Sequence, residues 1–318
     1  MVSSGAPHII FGCGGLGNEF IGEDAVRELL KTLGEAGVDR LDTAALYPPT
    51  DIGASQRLLG QVGAARMGFA IDTKVLISMS GFKGTLEPEN IAKSVAESHE
   101  TLRLGDGQRI NVFYPHAPDV ATPLKDQAAG FHAQYKKGLF DKISLGVCNF
   151  PADMLAQLID ICEREGYVKP TVYQGLYNLI DRRHEGPVLD LVHKHGMQFV
   201  AHSPHGSGFL HGALTSGQVK GTRFSEGNIM SIDARRYDAD KYHEAIRFLD
   251  NALKPYGISK PEVALRWLSF HSKLGPQDAI IFGSSNIAQV KQNIEAIRRG
   301  LLPEDIVAAL DGVWNIVK

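Results

Sequence analysis

The stretch from Phe69 to His116, FAIDTKVLISMSGFKGTLEPENIAKSVAESHETLRLGDGQRINVFYPH, contains a complete strand–helix–strand pattern. Phe69–Lys74 and Ile110–His116 are short apolar runs of the kind found in buried parallel strands. Pro88–Leu104 lies between them, begins with a proline suited to a first helical turn, and repeats apolar side chains at helical spacing. We therefore predict a unit in which a helix connects two parallel strands.

The same alternation continues over the whole chain. Six further apolar runs are predicted strands: His8–Phe11, Asp39–Thr43, Lys142–Asn149, Thr171–Gly175, Gln198–Ser203 and Ala279–Gly283. Further predicted helices occupy Asp24–Gly34, Pro123–Lys137, Asp153–Arg164, Pro187–His195, Pro261–Leu274, Ile287–Arg298 and Pro303–Ile316. This alternation of strands and helices favours an α/β fold with one domain over residues 1–318, a (β/α)8 TIM barrel with extra C-terminal helices.

An open, doubly wound sheet is the structural alternative, and it would normally have a glycine-rich turn after its first strand. Gly12–Gly17, GCGGLG, is such a turn, but its spacing does not match the dinucleotide-binding motif GxGxxG. We therefore interpret it as a flexible first loop of a barrel. A second long connection, Pro204–Asp240, follows the seventh strand and is rich in glycine and polar residues, which is typical of a lid or ligand clamp.

The composition excludes several classes of protein. The formal net charge is −3 and 43% of the residues are hydrophobic, so neither nucleic acid nor an anionic membrane is an expected partner. The three cysteines are too few and too scattered for a disulfide framework or a zinc site. We find no signal peptide and no apolar stretch of membrane length. We expect a cytoplasmic monomer or homodimer that acts on a small molecule.

Active sites of parallel barrels collect at the carboxyl ends of the strands, and four ionisable residues stand there on three consecutive strands. Asp42 ends the second strand and Tyr47 follows it in DTAALY, Lys74 ends the third strand, and His116 ends the fourth. A buried lysine beside a tyrosine lowers the tyrosine pKa, and a carboxylate would hold that lysine in place. A histidine would orient a carbonyl oxygen. Together these groups suit proton donation to a carbonyl that accepts hydride from a cofactor.

Each of these residues also has an ordinary structural explanation. Asp42 could cap a turn, Tyr47 could be a packed loop aromatic, Lys74 could be solvated, and His116 could be a core histidine. Only Lys74, which ends an apolar strand, demands a charged partner by itself. Four such coincidences at successive strand ends are a poor explanation, so we predict one shared site.

The chain resembles the aldo-keto reductases over nearly its full length, and in particular their aflatoxin-aldehyde-reductase-like branch. The four residues stand in matching motifs, DTAALY, DTK and FYPHAPD. GASQRLLG at Gly53–Gly60 is similar to the family's GxSExxLG, with Gln56 in place of Glu. LGVCNF, PTVYQGLYN and GSSNIAQVKQN are similar to further segments of the family.

The resemblance implies a (β/α)8 barrel with NADPH lying extended across its mouth and Tyr47 as general acid. It implies a cofactor site made of Gly12, Cys13, Asp42, Cys148, Asn149, Gln174, His202, Ser203, Pro204, Gly206, Gly208, Arg223, Gly283, Ser284, Ser285, Gln289, Gln292 and Asn293. Among these, Asn149 and Gln174 match the residues that hold the carboxamide. We expect NADPH rather than NADH, because Arg223 can contact the 2′-phosphate that distinguishes them.

The substrate end of the site is expected to be apolar. Tyr47 and His116 would face the substrate carbonyl, and Phe82, Phe150 and Tyr237 would line the pocket around it. This lining favours an apolar or aromatic aldehyde or ketone, and it suits an enzyme of specialised metabolism. Two residues at the nicotinamide end also depart from the family pattern: Cys148 stands where serine is usual, and His202 stands where an aromatic residue commonly stacks on the nicotinamide.

Two other functions stay open at the level of sequence. A regulatory subunit that binds NADPH and turns over slowly, like the barrel-shaped potassium-channel β-subunits, can retain the same four residues. A metal-dependent barrel hydrolase would need several further ligands at strand ends, and the sequence supplies only His116 and His202 there. We therefore expect no metal.

Overall fold

The computed structural model describes residues 5–77, 83–141, 146–228 and 235–318. Eight strands run parallel: β1 (His8–Gly12), β2 (Arg40–Asp42), β3 (Ala70–Lys74), β4 (Phe113–Tyr114), β5 (Gly146–Cys148), β6 (Val172–Leu176), β7 (Gln198–His202) and β8 (Ala279–Phe282). Their order in the sheet is β4-β3-β2-β1-β8-β7-β6-β5, so β1 pairs with β8 and the sheet curls back on itself. The predicted (β/α)8 barrel is confirmed.

The barrel closes where β4 meets β5. A Cβ atom on Gly146 would lie 2.3 Å from the ring of Tyr114, so glycine is required for this close approach. The first four residues of the predicted strand Lys142–Asn149 lie outside the described residues. The part of that strand seen in the structure, Gly146–Cys148, pairs in register with β6.

Eleven α-helices lie in the described part of the chain. They are α1 (Gly22–Glu35), α2 (Ala54–Val62), α3 (Pro88–Thr101), α4 (Leu124–Lys136), α5 (Ala152–Glu165), α6 (Leu189–Lys194), α7 (Ala213–Ser216), α8 (Asp240–Leu253), α9 (Lys260–Phe270), α10 (Ile287–Arg298) and α11 (Glu304–Val317). Each of the eight predicted helices has a counterpart, but α2, α7 and α8 were not predicted. The long connection after β7 contains α7 and two short 3-10 helices, Gly206–His211 and Arg235–Tyr237.

Two apolar layers hold the barrel together. Inside it, a small cluster unites Ile10, Val112, Tyr114, Val172, Val200, Ala279 and Ile281. A much larger cluster fills the space between the strands and the surrounding helices. At the amino ends of the strands the buried Asp72 carboxylate accepts hydrogen bonds from Arg40 Nε at 2.8 Å and Asn111 Nδ2 at 2.6 Å. This polar cluster fills that end of the barrel.

One arginine joins the last helix to the barrel. The Arg182 guanidinium lies 4.2 Å from the Trp267 ring centroid on α9 and 5.5 Å from that of Trp314 on α11. It also donates to the Leu310 carbonyl at 3.2 Å. Within the ranges that the structure describes, no helix is both long and apolar enough to cross a bilayer.

Candidate active site

A cavity of about 1730 Å³ opens at the carboxyl ends of the strands. Gly12, Asp42, Cys148, Gln174 and His202, from five different strands, contribute to its wall. The cavity then extends over the first turn of α10. Pockets for one small ligand usually enclose roughly 300–1,000 Å³, so this one has room for two molecules side by side.

Lys74 is the buried anchor of the site. Its ammonium donates to Asp42 Oδ1 at 2.8 Å, to Asp42 Oδ2 at 2.7 Å, and to the Thr43 carbonyl at 2.8 Å. Burial alone would lower the Lys74 pKa, but the Asp42 carboxylate and then Tyr47 outweigh it, and the pKa is raised above its ordinary value. Lys74 therefore stays a cation whose three donors are all directed and satisfied.

Tyr47 and His116 stand between this cation and the cavity. The Lys74 ammonium lies 5.3 Å from the Tyr47 ring centroid. The Tyr47 and His116 rings meet edge to face, with centroids 5.5 Å apart. Burial, then the charge of Lys74, then His202 lower the pKa of His116 to about 3. His116 is therefore a neutral imidazole at physiological pH, able to donate one hydrogen bond without carrying charge.

Helix α2 fixes the loop that carries Tyr47. Its Ser55 hydroxyl donates to the Cys13 carbonyl at 2.9 Å and shares a hydrogen bond of 2.7 Å with the Thr43 hydroxyl. The next residue, Gln56, donates from Nε2 to the Thr73 hydroxyl at 2.7 Å. The helix is thereby tied to the ends of three strands, and the Ser55 backbone N–H donates to the Tyr47 carbonyl at 3.1 Å.

The far end of the cavity is built from β8 and α10. Asn286 caps α10 by accepting from the Gln289 backbone N–H at 3.0 Å. Gln289 Oε1 in turn accepts from the Ser285 backbone N–H at 2.9 Å, and Asn293 Nδ2 donates to the Ser284 hydroxyl at 3.2 Å. The end of the cavity therefore combines hydroxyls, amides and the positive end of a helix dipole.

Arg223 and Glu19 line the cavity from opposite loops. Burial raises the pKa of Glu19, and the positive charge of Arg223 partly offsets that rise. The cavity wall therefore includes one acidic and one basic side chain from different loops.

The comparisons with known proteins agree with this architecture. The Aldo/keto reductase family profile matches residues 8–315. The chain belongs to the aldo/keto reductase family. It is 32% identical over 294 residues to aflatoxin B1 aldehyde reductase member 2 of Mus musculus, covering 89% of this chain and 78% of that protein. An aldo-keto reductase of Pseudocercospora fijiensis is 30% identical, covering 91% and 97%, and oxidoreductase sirO of Leptosphaeria maculans is 31% identical, covering 98% and 95%. The resemblance predicted from the motifs is confirmed.

Most residues predicted for the site of this aldo/keto reductase do line the cavity. They are Gly12, Asp42, Tyr47, His116, Cys148, Asn149, Phe150, Gln174, His202, Ser203, Pro204, Gly208, Arg223, Gly283, Ser284, Ser285, Gln289, Gln292 and Asn293. Lys74 lies just beneath this surface and is 1% exposed.

Three predicted residues are placed differently, and a fourth is not described. Cys13 and Gly206 are buried beside the wall and do not line it. Tyr237 is 1% exposed and packs against Phe209, and its hydroxyl accepts from Asn178 Nδ2 at 3.4 Å, so it supports the loop from behind. Phe82 lies outside the described residues.

Several cavity residues were missed by the sequence analysis. They are mostly charged or polar: Arg183 and His184 come from the connection between β6 and α6, His205, His211 and Arg236 from the long loop, Glu262 from α9, and Glu295 and Arg299 from α10 and its C-cap. The loop itself carried a signal, because its length and composition marked it as functional. Nothing in the local pattern indicated which of its side chains face inward. In the described ranges no group of three or more His, Cys, Asp or Glu residues could hold a metal ion.

Proposed function

We propose that this aldo/keto reductase reduces an aldehyde or ketone to an alcohol with NADPH, and that Tyr47 is the proton donor. The observation that carries the proposal is the position of the Lys74 ammonium, held by Asp42 at 2.7 Å and lying 5.3 Å from the Tyr47 ring. That fixed positive charge favours negative charge on the phenol oxygen as its proton leaves.

The residues present fit a nicotinamide cofactor. Asn149 and Gln174 present uncharged amides at the end of the cavity near Tyr47, where a carboxamide needs both donors and acceptors. The other end offers Ser284, Ser285 and the start of α10, which suit phosphate groups. Bound NADPH would supply the hydride.

The protein's own part is to orient the carbonyl and to deliver a proton. The neutral His116 imidazole donates a hydrogen bond to the carbonyl oxygen and keeps it beside Tyr47. As negative charge develops on that oxygen, the Tyr47 hydroxyl transfers its proton to it. Lys74, held in place by Asp42, stabilises the phenolate that forms. Leu46, Ile77 and Phe150 line the cavity nearby and favour an apolar substrate.

Steady-state assays test this function directly. NADPH oxidation is followed with a panel of aldehydes and ketones of increasing size, apolar and aromatic compounds included. We expect turnover with several members of the panel and tighter apparent binding of the apolar ones. NADPH binding without turnover on any member would contradict the reductase and would instead support a cofactor-binding regulatory subunit.

The preference for NADPH is assigned to Arg223. A charge-assisted contact to the 2′-phosphate contributes about 1.5–3 kcal/mol, which corresponds to roughly a ten- to hundredfold preference over NADH. Arg223→Ala is expected to weaken NADPH binding by that factor and to leave NADH binding nearly unchanged, measured as Kd by isothermal titration calorimetry.

Arg299 offers a matched control for this measurement. It also lines the cavity, but its guanidinium is held by Glu262 at 2.8 Å and Glu295 at 3.3 Å. Arg299→Ala should therefore change the ratio of the two Kd values little. Equal Kd values of the wild-type protein for NADPH and NADH would overturn the assignment, as would loss of the preference only in the Arg299 variant.

A further inference from the structure

A chain of hydrogen bonds runs along the cavity wall from the buried anchor outwards. Asp42 Oδ1 accepts from Gln174 Nε2 at 2.8 Å. Gln174 Oε1 accepts from the Cys148 thiol at 3.7 Å, and Cys148 Sγ accepts from Asn149 Nδ2 at 3.3 Å. Cys148 is thus a link between the two amides of the cavity.

The chain of hydrogen bonds continues from Asn149 to the end of β7. Asn149 Oδ1 lies 3.3 Å from His202 Nε2, and His202 Nδ1 lies 3.1 Å from the Ser203 hydroxyl. Cys148 and His202, which both depart from the family pattern, are therefore parts of the same chain.

The direction of every bond follows from the carboxylate at its inner end. An ionised Asp42 only accepts, so Gln174 must turn its nitrogen toward it and its oxygen toward Cys148. Cys148 then donates and in turn accepts from Asn149, which leaves the Asn149 oxygen facing His202. That oxygen needs a donor, so His202 must carry its hydrogen on Nε2 and accept at Nδ1.

The protonation states agree with this direction. Burial, followed by the charges of Lys74 and His184, lowers the pKa of His202 to about 3, so its ring is neutral and only one nitrogen carries hydrogen. Burial raises the pKa of Cys148 to about 12, so the thiol keeps the hydrogen that it donates.

We propose that His202 is a positioning residue, which holds the Asn149 amide in one orientation through its Nε2–H group. Asn149 needs such a partner, because its side chain is exposed to the cavity and packing does not hold it. Asn149 and Ser203, the two hydrogen-bond partners of His202, both have left-handed backbones, with φ of 56° and 57°. Such conformations are uncommon for residues other than glycine.

The inference rests on the proposed function for its effect on binding. In this chain of hydrogen bonds Asn149 and Gln174 each use one amide hydrogen and one lone pair, so each keeps one further amide hydrogen and one further lone pair for a ligand. A carboxamide would bind to two amides that are already oriented, so its binding free energy would not be reduced by the cost of ordering them. A phenyl or phenol ring at position 202 could stack on a ligand but could not hold Asn149 from a ring nitrogen.

NMR of the imidazole nitrogens in the ligand-free protein tests the predicted direction of these hydrogen bonds. In a ¹⁵N-histidine sample the His202 signals are assigned as those missing from the His202→Gln variant. We expect the Nε2–H tautomer at pH 7 and no protonation down to pH 5. The Nδ1–H tautomer, or an imidazolium at pH 7, would overturn the proposal whether or not the protein binds a nicotinamide.

Two substitutions separate positioning from stacking. His202→Gln retains an N–H donor at similar reach, whereas His202→Phe retains a ring and loses the donor. We expect NADPH binding to weaken roughly three- to tenfold in His202→Phe, the effect of one lost hydrogen bond, and by less than about twofold in His202→Gln. The reverse order would show that His202 acts as a stacking surface and would overturn the proposal. His195→Phe changes an exposed histidine that directly follows α6 and does not line the cavity, so it serves as the unaffected control for calorimetry and thermal unfolding. A wild-type protein that binds neither cofactor would defeat the proposed function, while the NMR result would still decide the tautomer.

Discussion

At the scale of single residues, the proposed role of Tyr47 depends on one atom, its phenol oxygen. Tyr47→Phe removes the phenol oxygen and leaves the ring against His116 and below the cavity. We expect kcat to fall on the order of 10²-fold or more, while the Kd for NADPH changes little, because the proton donor is lost and the cofactor contacts are not. Stopped-flow measurement of NADPH oxidation with the aldehyde that the wild-type protein reduces fastest gives this rate. A Tyr47→Phe variant that retains most of the wild-type kcat would contradict the mechanism.

Lys74 has a second role that Tyr47 lacks, since it neutralises a buried carboxylate. Lys74→Met should abolish turnover and also reduce the free energy of unfolding by about 3–5 kcal/mol, because Asp42 stays buried without its cation. Adding Asp42→Asn to the same protein removes the unpaired charge. We expect this double variant to recover much of the stability and none of the activity. Parallel recovery of both would mean that Lys74 acts only as a structural ion pair.

The meeting of Asp42, Tyr47, Lys74 and His116 in one place could be predicted from the sequence. Each stands at or soon after the end of a strand, and the carboxyl ends of parallel strands lie together in a barrel. Asp42 and Lys74 are bonded as expected, with no help from distant sequence. Tyr237 could not be placed in this way, since it lies in the long loop after β7, whose path depends on its contacts with Phe209 of the same loop and with Asn178, which precedes the loop. The amide orientations of Asn149 and Gln174 likewise follow from contacts between different strands.

At the scale of elements, the packing of α2 against α3 depends on a single glycine. A Cβ atom on Gly60 would lie 2.2 Å from the Thr101 carbonyl oxygen and 2.9 Å from the Leu102 carbonyl carbon, and backbone cannot move aside as a side chain can. We expect Gly60→Ala to lower the free energy of unfolding in urea by about 1–3 kcal/mol.

Gly34 in α1 provides the same substitution with the opposite expectation. It is exposed, and the nearest atom to a new Cβ would be 3.9 Å away, so alanine fits without strain. Gly34→Ala should raise the free energy of unfolding by about 0.5–1 kcal/mol through the higher helix propensity of alanine. Equal effects in the two variants would mean that the close approach of α2 to α3 is not a constraint.

Three helices have no counterpart in the sequence prediction, for different reasons. Helix α7 has only four residues, too few for a periodic apolar pattern. Helix α2 has only nine residues, and glycine stands on both sides of it, so its apolar repeat is too short to detect. Helix α8 does carry a clear signal, with Ala245, Ile246, Leu249 and Leu253 buried on one face. Its pattern begins directly after the long loop and was overlooked with it.

At the scale of the whole molecule, three histidines that line the cavity and are only partly exposed couple stability to pH. The pKa values of His116, His202 and His205 are each lowered to about 3, in every case mainly by burial. Unfolded histidines bind protons near pH 6.5, so between those two values the unfolded state holds more protons than the folded state. Their contribution is complete above pH 6.5 and is lost as the pH falls through this window.

We therefore expect the free energy of unfolding to decrease between pH 6.5 and 5.5, where few carboxyl groups titrate. The slope is up to about 1.4 kcal/mol per pH unit for each such histidine. Urea unfolding measured at steps of half a pH unit gives this slope. His205→Leu should make it shallower by an amount that corresponds to about one bound proton. A stability that stays constant over this range would show that the histidines are as accessible to protons when folded as when unfolded.

The junction at Arg182 gives the protein an unusual optical property. The chain has two tryptophans, Trp267 and Trp314, and both lie against this one guanidinium. Intrinsic emission excited at the indole band is therefore a local signal, sensitive to whether α11 is seated on the barrel. Circular dichroism averages over all helices instead. If α11 detaches before the barrel opens, emission will change at a lower urea concentration than ellipticity, and the gap between the two midpoints will measure how independently the last helix is held.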